Sequence, residues 1–292
     1  MCAPASLIIT RDRVFWSLKT DSHEPIITEY GLKDEVAGRI TLVRVEITPP
    51  LGTDREPNFA APLAQWQYRV DQDLLPEWYQ KDPAKHEERA RAALVDWYAV
   101  KVFLSGHHQV TDGNCFACGT ATVRACGTAT VRAYGSATVD ACGSATVEAR
   151  GSATVRAWGS ATVQAWGSAT VEACGTATVR AWDSATVRAW GNATVDACCS
   201  ATVEARGSAT VRAWDSATVR AYGNATVDAC CSATVRAWDS ATVWAWDSAT
   251  VRAWDSTNCI IYGCKLCELH EQAAAIDRRT AKIKLLRGTP EV

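Results

Sequence analysis

From Gly119 to Trp254 the chain is one octapeptide written seventeen times, with the consensus Gly-Ser-Ala-Thr-Val-x-Ala-x. Numbering the unit one to eight, positions three, five and seven are Ala, Val and Ala almost without exception. Positions two, four and six are Ser, Thr or Asn, then Thr, then usually a charge. Alternation of this kind is the period of a β-strand with one small apolar face. A single unit cannot bury that face, so the octads must stack on one another as a β-solenoid. Gly at position one suits the corner between strands, where a permissive backbone is useful. Asp or Cys stands there in several octads, so the corner is not expected to require a positive φ.

The charges at position six decide how many octads make one coil. Stacked strands bring equivalent residues to ~4.8 Å, where like charges are unfavourable. If two octads form a coil, fifteen stacked pairs contain ten of opposite and two of like charge. Three octads per coil would give four opposite and seven like pairs, and one octad per coil seven and five. The sequence therefore predicts a mainly β fold, a two-sheet solenoid with sixteen residues per coil. Its consensus part spans about eight and a half coils, on the order of 40 Å. The block 175–206 nearly recurs as 207–238, a duplication of two whole coils in the same register.

Three regions follow. Residues 1–110 read as a small α+β domain: Arg39 to Ile47 alternates as a half-buried strand. Leu7 to Thr10, Val14 to Leu18 and Gln65 to Val70 are further strand candidates. Asp82-Pro83 is a helix start, with Ala90, Leu94, Trp97, Lys101 and Leu104 at helical spacing, so a helix is expected over 83–104. Residues 111–262 form the solenoid, with degenerate end coils at 111–118 and 255–262. Residues 263–292 are expected to form a helix on the seam Leu266, Leu269, Ala273, Ile276, Thr280 and Ile283, stopped by Gly288 and Pro290. Such a helix either caps the last coil or dimerises.

Composition excludes some functions. Lys and Arg number 30 against 32 Asp and Glu, without the basic excess that phosphate contacts usually need, so nucleic acid is an unexpected partner. No run of ~20 apolar residues is present to span a bilayer. The N-terminus lacks a basic n-region and a long apolar run, so the expected compartment is the cytoplasm. Most of the 13 cysteines are accordingly expected to be reduced thiols. Cys126 and Cys142 would stack on adjacent coils at disulfide spacing, but that compartment argues against a bond.

Position eight is the candidate display site. It holds Cys, Tyr, Arg or Trp, and Trp158, Trp166, Trp182, Trp190, Trp214, Trp238, Trp246 and Trp254 would form ladders along the two sheet edges. Two readings stand: the ladders pack on themselves, or they form a binding strip for a protein, a glycan or another copy. Cys259, Cys264, Cys267 and His270 offer four potential zinc ligands within twelve residues, enough for a structural zinc. Cys115-x2-Cys118 with His107 and His108 is a sparser version of the same set. No phosphate loop, GxSxG elbow or HExxH helix is present. His23, Glu24, Asp71, Asp73 and His86 read as polar surface, so no catalytic residues are assigned.

The segment Ala133-Tyr134-Gly135-Ser136-Ala137-Thr138 resembles the octapeptide of bacterial ice-nucleation proteins, which also pair into sixteen-residue coils. The resemblance covers 119–254. In that family a Thr-x-Thr row is implicated in ordering water; the matching row here is Ser-x-Thr, as at Ser136 and Thr138. The whole chain is more similar to uncharacterised bacterial and phage-associated proteins in which a small N-terminal domain precedes SATVxA octads. The leading expectation is a non-enzymatic scaffold or interaction module, self-associating through solenoid ends or the terminal helix. The alternatives are a hydroxyl ladder that binds ice or another ordered polymer, and an activity in residues 1–110 carried by the solenoid.

Overall fold

The computed structural model describes residues 4–53, 55–263 and 265–278. Two long parallel sheets run through the chain, one of 11 and one of 12 strands. Successive octads alternate between them, so Thr122–Ala125 pairs with Thr138–Ala141 and Thr130–Ala133 with Thr146–Ala149. That is the sixteen-residue coil expected from the charges. Position six pairs in the predicted columns, as Arg124 with Asp140, Asp140 with Arg156 and Arg156 with Glu172. Arg156 lies 3.7 Å from Asp140 and 3.8 Å from Glu172. Arg212 lies 3.7 Å from Asp196. These pairs are partly exposed, so each is worth at most about 1 kcal/mol. Their larger effect is on register, because a slip of one octad would put like charges together.

The core is thin and dry. Ala at positions three and seven and Val at position five are fully buried in nearly every octad. Small side chains let the two sheets approach closely, and the packing leaves no room for a larger residue without displacing the opposite sheet.

Each octad ends in a turn formed by positions eight, one, two and three, closed at most corners where the position-three amide donates to the position-eight carbonyl, as Ala185 to Trp182 (3.1 Å). Position one sits at positive φ throughout, including Asp183 (56°), Cys199 (59°), Asp215 (55°), Cys231 (58°) and Asp239 (60°). The expectation that Asp and Cys exempted the corner from positive φ is therefore corrected. Asp tolerates the left-handed region better than most residues. Here its carboxylate also finds a donor one coil away: Asp183 Oδ2 accepts from the amide of Gly167 (3.1 Å), Asp239 Oδ2 from Gly223 (2.9 Å) and Asp255 Oδ2 from Asp239 (3.0 Å).

The N-terminal region holds an antiparallel sheet and a long helix. In chain order its elements are β1 (Ala5–Thr10), β2 (Val14–Phe15), α1 (His23–Glu29), β3 (Glu35–Val36), β4 (Arg39–Ile40), β5 (Leu42–Thr48), β6 (Gln67–Val70), α2 (Glu77–Lys81) and α3 (Pro83–Lys101). The sheet order is β2-β1-β5-β6. Asp82 caps α3 by accepting from the Lys85 amide (3.1 Å). Ala90, Leu94, Trp97 and Lys101 form its buried face, as the spacing predicts. Helix α3 ends three residues before the expected Leu104 because Val102–Phe103, β7, joins the solenoid sheet. Strands β8 (His107–Val110) and β9 (Asn114–Ala117) complete the first coil, so the solenoid begins before residue 111. Phe116 and Cys118 of that coil share one apolar core with Val45, Phe59, Trp66 and Trp97. The N-terminal region thus closes one end of the stack.

At the other end the expected helix is replaced by strands. Leu266–Leu269 pairs with Thr250–Ala253, and Ala274–Asp277 pairs with Asn258–Ile261. Leu269, Ala273 and Ala275 enter the core, while Leu266 and Ile276 face outward. The residues that do follow period two in octad register are Cys267, Leu269, Ala273 and Ala275, and the open edge of the preceding coil supplies a ladder of backbone partners that a helix would forgo. Thr280, Ile283, Gly288 and Pro290 lie outside the described residues.

Candidate functional site

The two corners of the flattened tube carry the position-eight side chains as two files. On one edge Arg206, Tyr222, Trp238, Trp254 and His270 stack in succession. The Arg206 guanidinium lies 5.3 Å from the Tyr222 ring centre. The ring centres that follow are 4.8, 4.9 and 5.0 Å apart, with planes within 6–8° of parallel. On the other edge Arg150 lies 5.0 Å over Trp166, which stacks on Trp182 at 4.7 Å. Farther along it, Trp246 stacks on Tyr262 at 5.6 Å. The spacing is the strand spacing of the sheet, so the fold imposes face-to-face stacking on any planar group at this position. Trp158 and Trp214 interrupt the files between cysteines and are the more exposed indoles, at 42% and 37%. Trp190 lies next to Cys174 and Arg206 in its column.

The hydroxyls divide into two kinds. Position-two hydroxyls are committed to the structure: Ser136 Oγ donates to the Gly119 carbonyl (2.8 Å), and Ser184 Oγ to that of Gly167 (2.9 Å). Position-four threonines stand outward in register, Thr122 on Thr138 on Thr154. Between Thr122 and Thr250, among the described residues, none of these hydroxyls is spent on a side-chain hydrogen bond. They form two files at the strand interval, each beside the charged file of position six.

Among the described residues, Cys259, Cys267 and His270 are not gathered into one cluster. Cys259 and Cys267 occupy the position-five slot of opposite sheets, paired with Val243 and Val251, and both pack with the core. His270 belongs to the aromatic file on Trp254. Cys264 lies outside the described residues. The sparser set separates too: Cys115 and Cys118 are buried, and burial pushes both thiols up to about 12. His108 stands in the position-five register beside Val123 and stacks on Phe103 at the end of the core, and His107 is exposed.

Cys126 and Cys142 form a disulfide across adjacent coils, their Cα atoms 4.8 Å apart. The expectation of reduced thiols at this pair is corrected, since stacking alone brings two position-eight cysteines within bonding range.

Two histidines read as surface are buried. His23 Nε2 lies 3.0 Å from the Val45 carbonyl and Nδ1 3.5 Å from Asp71. His86 is held between aromatic rings and two hydrogen bonds. Arg89 Nη1 can only donate, so His86 Nδ1 accepts from it (3.0 Å) and Nε2 carries the proton toward the Trp78 carbonyl (3.3 Å). His86 lines a surface cleft of about 970 Å³ with Arg11, Arg39, Lys81, Lys85 and Arg89, set against Asp12, Glu77 and Asp82. Both of its ring nitrogens are already engaged, and no Ser or Cys nucleophile lines the cleft.

Comparison with family models, curated proteins and solved structures finds no match to this chain. Function must therefore be argued from the geometry. Within the described residues, no helix is long and apolar enough to cross a membrane. Sequence reasoning located the Trp files, with Arg packing along them, but missed His270 as a member of the stack. The register of sixteen residues would have placed it there.

Proposed function

We propose that the protein is a non-enzymatic display rod. Its solenoid holds chemically identical groups at a fixed spacing, and the corner files are the surface a partner reads. The observation that carries this reading is the file from Arg206 to His270, a guanidinium followed by four parallel rings at about the interval of the sheet. A rigid strip of half-buried ring edges at a regular interval suits a repetitive partner, either a polysaccharide or a second copy of the rod, and the exposed Trp158 and Trp214 extend the aromatic surface of the corners. The closed Ala and Val core contributes rigidity.

The test compares the full chain with a Trp238→Ser/Trp254→Ser variant. Light scattering over a concentration series reads self-association, and retention on immobilised polysaccharides reads glycan binding. Assembly or retention that disappears in the variant supports the strip. Identical behaviour of the two chains in both measurements overturns it.

A second reading is supported by the position-four threonines, whose hydroxyls make no side-chain hydrogen bonds within the chain between Thr122 and Thr250. In-register hydroxyls at ~4.8 Å suit an ordered polymer or ice face, and the flanking Arg and Asp files oppose a flat one. Droplet freezing or thermal hysteresis that falls when Thr154, Thr170 and Thr186 are changed to Val would favour this reading over the first.

A further inference from the structure

The edge that carries Trp182 and Trp214 also carries a second chemistry at its corner. Moving up that edge coil by coil, positions eight and one read Trp182-Asp183, Cys198-Cys199, Trp214-Asp215, Cys230-Cys231 and Trp246-Asp247. Each vicinal thiol pair is therefore sandwiched between carboxylates on the coils below and above. We propose that Cys198, Cys199 and Asp215 form one binding site for a thiophilic divalent cation of the zinc and cadmium class, and that Cys230, Cys231 and Asp247 form a second.

Geometry carries the assignment. Neighbouring residues on a strand point to opposite faces, so adjacent cysteines do not ordinarily chelate one ion. Here Cys199 and Cys231 sit at positive φ, which turns their side chains back toward Cys198 and Cys230. The two sulfurs of each pair lie 3.6 Å apart. Two ligands of a tetrahedral zinc at ~2.3 Å are about 3.8 Å apart, so the pairs already hold close to the required bite. In each set the two sulfurs and one carboxylate oxygen all lie within 4.8 Å of one another. Two sulfurs and one oxygen leave the fourth tetrahedral position to water.

Electrostatics points the same way. Asp183 and Asp215 flank the first pair, and Asp215 and Asp247 the second. Negative charge gathered at one corner opposes a thiolate on its own and favours a dication that neutralises it. The two sites are two coils apart, roughly 10 Å, too far to share one ion. Both arise from the same 32-residue duplication, so they should bind alike.

Cadmium is the probe, because its thiolate charge-transfer band in the ultraviolet reports sulfur ligation directly. The full chain, kept under argon, is titrated with cadmium chloride beside Cys199→Gly, Cys231→Gly and the double variant. Gly is the consensus residue at this corner, so the variants retain a backbone the repeat already uses. The expected result is two cadmium ions per chain with the charge-transfer band, one in each single variant and none in the double. Uptake in the double variant equal to that of the parent would assign the metal to other thiols and overturn the proposal. So would a parent with no band, or a single ion lost in both single variants.

Discussion

Lys101 Nζ lies 2.8 Å from Asp21 Oδ1, and both side chains are almost wholly withdrawn from water. The pair sits where helix α3 meets the first coil. Asn114 of β9 hydrogen-bonds both partners, and Trp97 Nε1 donates to Asp21 (3.3 Å). Burial pushes the Asp21 carboxyl up and the Lys101 ammonium down, each against the attraction of its partner. The joint between the N-terminal cap and the solenoid is thus an ionic network whose desolvation opposes its own charge. Removing Asp21 strands Lys101, and removing Lys101 leaves Asp21 only the more distant Arg132 at 3.6 Å. Lys101→Met and Asp21→Asn should each lose about 3–5 kcal/mol, and the double variant far less than the sum. Chemical denaturation of the four chains measures this, and additive losses would show that the pair does not act as a unit.

The corner aspartates make a second prediction. Asp239 combines a positive φ with a carboxylate that accepts from the Gly223 amide. Asp239→Ala keeps the backbone demand and loses the acceptor, so it should cost at least about 1–2 kcal/mol. Asp239→Gly relieves the backbone while losing the same acceptor and should cost clearly less. The order of the two midpoints in urea checks it. An Ala variant as stable as the Gly variant would mean that φ is not what constrains the corner.

The disulfide gives a third. Cys126 and Cys142 close a loop of sixteen residues, for which about 3 kcal/mol of stabilisation is expected. Cys142→Ser should lower the free energy of unfolding by that amount, and peptide mapping without reduction should recover residues 126 and 142 as one linked species.

How much of this was legible in the residues depends on which physical signal each feature leaves. Coil length was legible because Arg124, Asp140 and Arg156 carry charge, and charge discriminates between registers. The Ala and Val core was legible from period two. The corner was misread at Asp183 and Cys199 because residue identity alone did not reveal that the Asp183 carboxylate and the Cys199 amide would hydrogen-bond to a neighbouring coil. The terminal strands were misread because Leu269 and Ala273 fit a helical seam and the inward face of the coil alike, while Leu266 and Ile276, counted on the same seam, face outward. Only the open edge of the preceding coil, a tertiary fact, decides between them. The paired thiols and their aspartates were hidden for a related reason: Cys198 and Asp215 become neighbours only once the sixteen-residue register is imposed.

Core narrowness yields a fourth prediction. Ala189 is fully buried between Ala173 and Ala205 on its sheet. Ala189→Leu adds volume that neither neighbour can release, and overpacking should cost at least about 1–3 kcal/mol. The outward Arg188→Leu, at the adjacent position six, should change stability by less than about 1 kcal/mol. Denaturation midpoints for the two variants distinguish the faces, and comparable losses would mean that the core is looser than its burial implies.

The last prediction concerns Trp238, which stacks on Tyr222 and on Trp254. An aromatic pair is worth about 0.5–1.5 kcal/mol beyond its buried area, so Trp238→Ser should cost roughly 1–3 kcal/mol for two lost pairs. The same change at Trp158, which lies between Cys142 and Cys174 in its column and has no aromatic stack, should cost less. Parallel indoles at 4.9 Å also couple their transitions, so near-ultraviolet circular dichroism should lose a paired exciton signal in Trp238→Ser and keep it in Trp158→Ser. Equal losses at the two sites would mean that the file contributes area but no stacking energy. The self-packing account of the ladder would then give way to one in which the indoles are held for a partner.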